Sequence, residues 1–277
     1  MAKDQFSCKD VPGFTCALPS HAYDKDIRLK HKAKPQKSCL TLYLGMLPDC
    51  WRKKLKPVLE DQRDLIYTIE DMYNEPTTRD RILPPKRLIF RCFQKTPLED
   101  ARVILIAQDP YYNRGEANGL AFSVDEHMSI PPSLGNMFAL LGKDVPEANV
   151  DIYTTNGDLT KWAQRGVLLL NSALTVKSGD PGSHRDMWRN FTKKVIEIIC
   201  THCKTRKNKG IVFIALGKNA QEHIKDIDTT VHRVITASHP SSRARYSGAE
   251  PFAKSNIFSK TNEALKELEL EAIDWSL

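Results

Sequence analysis

Residues Val103 to Pro110 read VILIAQDP. Five apolar residues follow one another without polar alternation, which suits a strand buried on both faces better than one with a wet side. Three further runs have the same form: Val167–Leu170 (VLLL), Ile211–Leu216 (IVFIAL) and Val234–Ala237 (VITA). Helix-like segments lie between and after them, at Ser133–Leu141, Leu159–Gln164, Trp188–Cys203, Lys218–Ile227 and Ser259–Leu270. Continuous apolar strands alternating with helices predict an α/β fold with a parallel sheet covered on both faces.

Upstream, Trp51 to Tyr73 has apolar residues at helical spacing and predicts one helix ending near the Asn74–Pro76 breaker. Residues 1 to about 46 have little periodicity. Their cluster of Arg28, Lys30, Lys32, Lys34 and Lys37 suits a nuclear-targeting or DNA-contacting arm, or simply a solvated tail.

The chain of 277 residues is 41% hydrophobic, enough for a sizeable core. No apolar run approaches the roughly 20 residues that span a bilayer, and the first residues lack the apolar stretch of a secretory signal. The expectation is an intracellular protein with no membrane contact. A net charge of +7 suits a polyanionic partner, because cations that neutralise phosphates release counterions. The seven cysteines are odd in number and scattered, which fits reduced thiols. Cys200-Thr-His-Cys203 is half a zinc site at most, with no second close pair to complete four ligands, and no metal is expected.

In a parallel α/β sheet, ligands bind at the carboxyl ends of the strands. The first run leads into Gln108-Asp109-Pro110-Tyr111, the second into Asn171, the third into Gly217 and the fourth into Ser238-His239-Pro240. Each alone is ordinary turn chemistry. Together they bring an acid, an amide and an imidazole to one edge. An asparagine offers one donor and one acceptor, enough to read the edge of a pyrimidine. Phe122 offers a face for an unstacked base, and core packing is its other reading. The Pro131-Pro132-Ser133 turn and Gly217-Lys218 suit phosphate contacts through backbone amides, although Pro-Pro-Ser is also a good helix entry.

The stretches AQDPYYNRGEANGLAFSV (107–124), IPPSLGNMF (130–138), WAQRGVLLLNSALTV (162–176), and HPSSRARYSG (239–248) with FSKTN (258–262) resemble the motifs of family 1 uracil-DNA glycosylases. The likeness runs from about Trp51 to Trp275. It implies a single α/β domain, with a central four-stranded parallel sheet flanked by helices, spanning 47–277 behind a basic extension at 1–46. It implies no cofactor, and a monofunctional enzyme that hydrolyses the glycosidic bond of uracil flipped out of single- or double-stranded DNA. Asp109 would orient the attacking water and stabilise the cationic sugar, and His239 would donate a hydrogen bond to uracil O2. Asn171 would read the uracil edge, Gln108 would touch it through its backbone, Phe122 would stack on it, and Tyr111 would exclude a thymine methyl. Ser133, with Pro132 beside it, and Ser241 would grip the DNA backbone, and the residue at position 243 would enter the space that the base leaves.

This chain departs from the family pattern in three places. Tyr112 stands where His is usual, and a phenol cannot become cationic near neutral pH. Arg243, with Arg245 two residues on, replaces the usual intercalating Leu, as in poxvirus-type members, and can both fill the gap and stack. Leu216-Gly217-Lys218 replaces Trp-Gly-Ser, so that Lys218 could meet a phosphate directly. These differences lean towards a divergent viral member acting in a host nucleus, with the cytoplasm as the compartment otherwise. Expected partners are uracil-containing DNA, a proteinaceous glycosylase inhibitor or replication proteins, with the chain itself a monomer. A base deaminase would need a zinc-binding His-x-Glu and Pro-Cys-x-x-Cys set that is absent. The alternative from another class is a non-catalytic DNA-binding or replication-processivity module, which would tolerate loss of Asp109, Asn171 and His239.

Overall fold

The computed structural model describes residues 36–150, 156–205, 210–241 and 250–277. The basic cluster before residue 36 lies outside them, apart from Lys37 in the first helix. That helix, α1 (Gln36–Gly45), falls within the stretch expected to be an extension, and its Tyr43 is fully buried.

The expected long helix is two helices, α2 (Asp49–Asp61) and α3 (Arg63–Asn74), broken at Gln62 with φ −102° and ψ 36°. α2 buries Trp51, Leu55 and Leu59, and α3 buries Leu65, Ile66 and Ile69. Then come β1 (Ile82–Leu83), α4 (Arg91–Lys95), β2 (Val103–Ala107), α5 (Pro132–Asp144) and α6 (Thr160–Gln164). The chain continues through β3 (Val167–Asn171), β4 (Val176–Lys177), α7 (Arg185–Thr205), β5 (Val212–Leu216), α8 (Lys218–Glu222), β6 (Arg233–Ala237) and α9 (Ile257–Glu267).

Four strands form the central sheet in the order β3-β2-β5-β6, every neighbouring pair parallel. This is the four-stranded parallel sheet expected. Every residue of β2, β3 and β5 is buried, so their continuous apolar runs have no wet face to encode. β6 is an edge strand with its first four residues partly or fully exposed, which is why its apolar run can hold a polar residue, the exposed Thr236. β1 and β4 pair antiparallel as a separate two-stranded sheet.

Four tryptophans, Trp51, Trp162, Trp188 and Trp275, are essentially fully buried in the core. Three spend their indole N–H inside the protein: Trp51 on the Thr96 carbonyl, Trp162 on the Trp275 carbonyl and Trp188 on Thr175 Oγ1. Buried indoles need such partners, and here they fasten the α2, α6 and α7 faces to neighbouring segments. Among the described residues, no helix is long and apolar enough to cross a membrane.

Candidate active site

Because all four strands run the same way, their carboxyl ends share one edge of the sheet. A cleft of about 700 Å³ opens there. Its walls include Gln108, Asp109, Tyr111 and Tyr112 after β2, Phe122, and Pro132 and Ser133 at the start of α5. Gly217 and Lys218 after β5, and His239 and Ser241 after β6, complete it. These are residues singled out from the sequence, now in one place. Asn171 is the exception: it does not line the cleft but lies buried at the end of β3, its Cα paired in register with Ala107, which does. Arg243 and Arg245 lie outside the described residues.

Asp109 is half-buried, and burial raises its pKa above the ordinary carboxylate value. A hydrogen bond from Gln108, the charge of Arg185 and the backbone amide of Gly182 pull the other way. Its Oδ2 accepts from Gln108 Nε2 at 2.5 Å. Asp109 Oδ1 and Asn171 Oδ1 are buried without a protein partner, which leaves both acceptors open to a ligand or a water.

His239 has a pKa below the usual imidazole value because burial disfavours its cation. Its Nδ1 accepts from the Ser241 backbone N–H at 3.1 Å. A neutral ring that accepts at Nδ1 carries its proton on Nε2, so the imidazole is a neutral donor through Nε2. The turn is anchored from behind: Ser238 N donates to the Glu250 carbonyl and Ser238 Oγ accepts from Phe252 N. Gly217, at φ +88°, lets the end of β5 pass close by, since a Cβ there would stand 3.1 Å from His239 Cβ.

The Phe122 ring lies 5.6 Å from the His239 ring, centroid to centroid, with 39° between planes. Its backbone has φ +64°, a left-handed conformation rare for a bulky residue and associated with functional sites. Tyr111 donates its hydroxyl to the Phe122 carbonyl at 3.0 Å, so its ring is held against the segment that presents the aromatic face. Tyr112 is exposed at the rim.

Sequence reasoning did not single out Asn219 or Arg185. Asn219 sits three residues beyond the β5 end and lines the cleft; an amide in the first turn after a strand was the available signal. Arg185 opens α7, and its nearness to Asp109 depends on the path of residues 172–184, which no local pattern encodes.

Residues 93–266 match the model of the uracil DNA glycosylase superfamily. A uracil-DNA glycosylase of Acinetobacter baumannii (strain AYE) is 39% identical over 237 residues, covering 83% of this chain and 93% of that protein. The crystal structure of mimivirus uracil-DNA glycosylase superposes with a TM-score of 0.75 at 26% identity, covering 87% of this chain and 91% of that one. A variant of the mimivirus protein, solved in complex with UGI, gives 0.73 at 25% identity over 87% of this chain and 93% of that one.

Proposed function

The chain belongs to the uracil-DNA glycosylase superfamily and removes uracil from DNA as a base-excision repair hydrolase, and we propose that Asp109 and His239 are its two catalytic groups. Breaking the glycosidic bond leaves positive charge on the sugar and sends the bonding electron pair out with the base. An ionised Asp109 stabilises the cation and orients the water that adds to C1′. His239 Nε2–H donates to uracil O2 as negative charge gathers there. Both contacts strengthen towards the transition state, which is what lowers the barrier. The water's proton is finally taken up by the departing base, so the products are neutral uracil and an abasic site.

The observation that carries this reading is the hydrogen bond from Ser241 N to His239 Nδ1, because it commits the ring's proton to the nitrogen that must donate. Around this pair, Asn171 reads the imide edge with one donor and one acceptor, the Gln108 backbone touches the base and Phe122 stacks on it. Tyr111 occupies the space of a thymine methyl. Ser133, with Pro132, and Gly217, Lys218, Ser241 and Tyr112 hold the DNA backbone. Arg243 follows the base into the gap and Arg245 contacts the DNA, assignments resting on the sequence alone.

The enzyme works as a monomer on single- or double-stranded DNA, in the compartment that holds it: a nucleus for a viral or eukaryotic source and the cytoplasm otherwise. The UGI complex of the mimivirus variant supports a proteinaceous inhibitor as a partner of this chain. The test is incubation with oligonucleotides carrying one U, T or C, followed by detection of abasic sites. Cleavage only at U, lost in Asp109→Asn, is expected. Full activity in that variant would remove Asp109 from the mechanism.

A further inference from the structure

Gln108 and Asn219 form a chain of side-chain hydrogen bonds leading into the catalytic acid. Asn219 Nδ2 donates to Gln108 Oε1, and Gln108 Nε2 donates to Asp109 Oδ2. We propose that Asn219, acting through the Gln108 side chain, is a positioning residue that aims the Asp109 carboxylate at the sugar. This rests on the glycosylase reading and adds to it, since there Gln108 acts only through its backbone.

The direction of the chain follows from what each group can do. An ionised carboxylate only accepts, so the Gln108 amide must turn its nitrogen to Asp109 and its oxygen away. That oxygen then faces Asn219, which must donate. Turned the other way, Gln108 would put an oxygen against the carboxylate. Asp109 therefore sets the orientation of Gln108, Asn219 holds it there by donating to the oxygen turned away, and Gln108 selects which Asp109 oxygen is tied down. Oδ2 is held, and Oδ1, buried without a protein partner, is left for water and the developing cation.

The sheet makes this reach inevitable. β2 and β5 are neighbours with Ile106 opposite Ala215, so Gln108 and Gly217 leave them at one level, and Asn219 follows at the start of α8. Asn219 lines the cleft and is only partly buried, so it is not simply a core residue. The other charged or titratable groups around Asp109 are Arg185, beyond Gly182, and, along the cleft, His239, Lys218, Tyr111, Tyr112 and Glu116. None of these takes part in the chain.

The test measures uracil release from a single-stranded oligonucleotide across pH. Asn219→Leu keeps the size and removes the donor. It should lower kcat about tenfold, because losing the bond to Gln108 loosens in turn the charge-assisted one from Gln108 to Asp109, with KM within about twofold because the DNA grip is intact. The acid limb of the kcat profile should move to higher pH, since a poorly oriented Gln108 no longer favours the ionised Asp109. In a Gln108→Leu background the same substitution should add nothing. An unchanged kcat, a loss confined to KM, or additive losses would each overturn the relay. If thermal melting shows Asn219→Leu misfolded, Asn219→Asp carries the test: its carboxylate draws the Gln108 nitrogen away from Asp109, and an undiminished kcat there overturns the relay as well. Failure of the wild type to release uracil would instead sink the glycosylase reading, while an active wild type with an unaffected Asn219→Leu sinks the relay alone.

Discussion

Asn136 on α5 donates from Nδ2 to the carbonyl of Pro240 at 2.6 Å, tying the turn that carries His239 to the helix that carries Ser133. One bond thus couples the proposed catalytic imidazole to a proposed phosphate grip. Asn136→Ala should lower the thermal stability by about 1 kcal/mol. It should cost more in kcat/KM, about tenfold, because both groups lose their common reference. Melting curves beside steady-state kinetics check this; a loss of stability with unchanged kcat/KM would make the bond purely structural.

Asp109 should oppose stability while serving catalysis. Its folded-state pKa is raised, mainly by burial, so at neutral pH the folded protein carries the cost of an ionised buried carboxylate. That cost disappears as pH falls through the raised pKa, because the folded state takes up its proton before the unfolded state does. Asp109→Asn should therefore melt no lower than the wild type at pH 7, with its relative advantage shrinking towards pH 4. Uracil release should fall by at least about a hundredfold.

His239 should be found neutral with its proton on Nε2. Nitrogen-15 NMR of the ring should show an unprotonated Nδ1 at pH 7 and no titration near the ordinary value of about 6.5. The lowered folded pKa fixes the sign of the linkage: its contribution to stability is full above the unfolded value and declines as pH falls through that value towards the folded pKa. A ring protonated at Nδ1 at pH 7 would refute the donor role of Nε2.

The sheet was largely legible from VILIA and its three companions because buried parallel strands are written as uninterrupted apolar runs. The acid and the imidazole were legible because strand ends are the topology's binding edge. The break at Gln62 was not. Leu59 and Ile66 are seven residues apart, which continues the helical phase across the break, and no Gly or Pro marks it. β1 and β4 have two residues each, too few for any period to show. The Asn219–Gln108 contact was hidden for another reason: it joins two strands distant in sequence, and only their register brings the amides together.

Tyr111→Ala should widen the substrate range. With the ring gone from beside Phe122, a thymine methyl has room, and oligonucleotides with a single T opposite A should yield abasic sites at a measurable rate. Continued strict rejection of thymine would mean that another group does the excluding.

Tyr112→His should tighten binding to DNA at pH 6, where imidazole is largely charged, more than at pH 8. Neutralising up to one more phosphate should steepen the dependence of log affinity on log salt by up to about 0.9 on duplex. Equal slopes for the two proteins at pH 6 would place residue 112 away from the phosphates.

In β3, Val167 to Leu170 offers no polar alternation to tell one alignment beside β2 from another. The alignment is pinned at its ends, where Val103 N donates to the Gly166 carbonyl and Ser172 N to the Ala107 carbonyl. A slip of one residue would turn every side chain of the strand over, burying Asn171 on the wrong face while leaving the apolar content unchanged. The last rungs of the ladder thus decide more than packing: closing them sets Asn171 opposite Ala107, two residues before Asp109, and a slipped strand would be equally apolar yet would lose that placement.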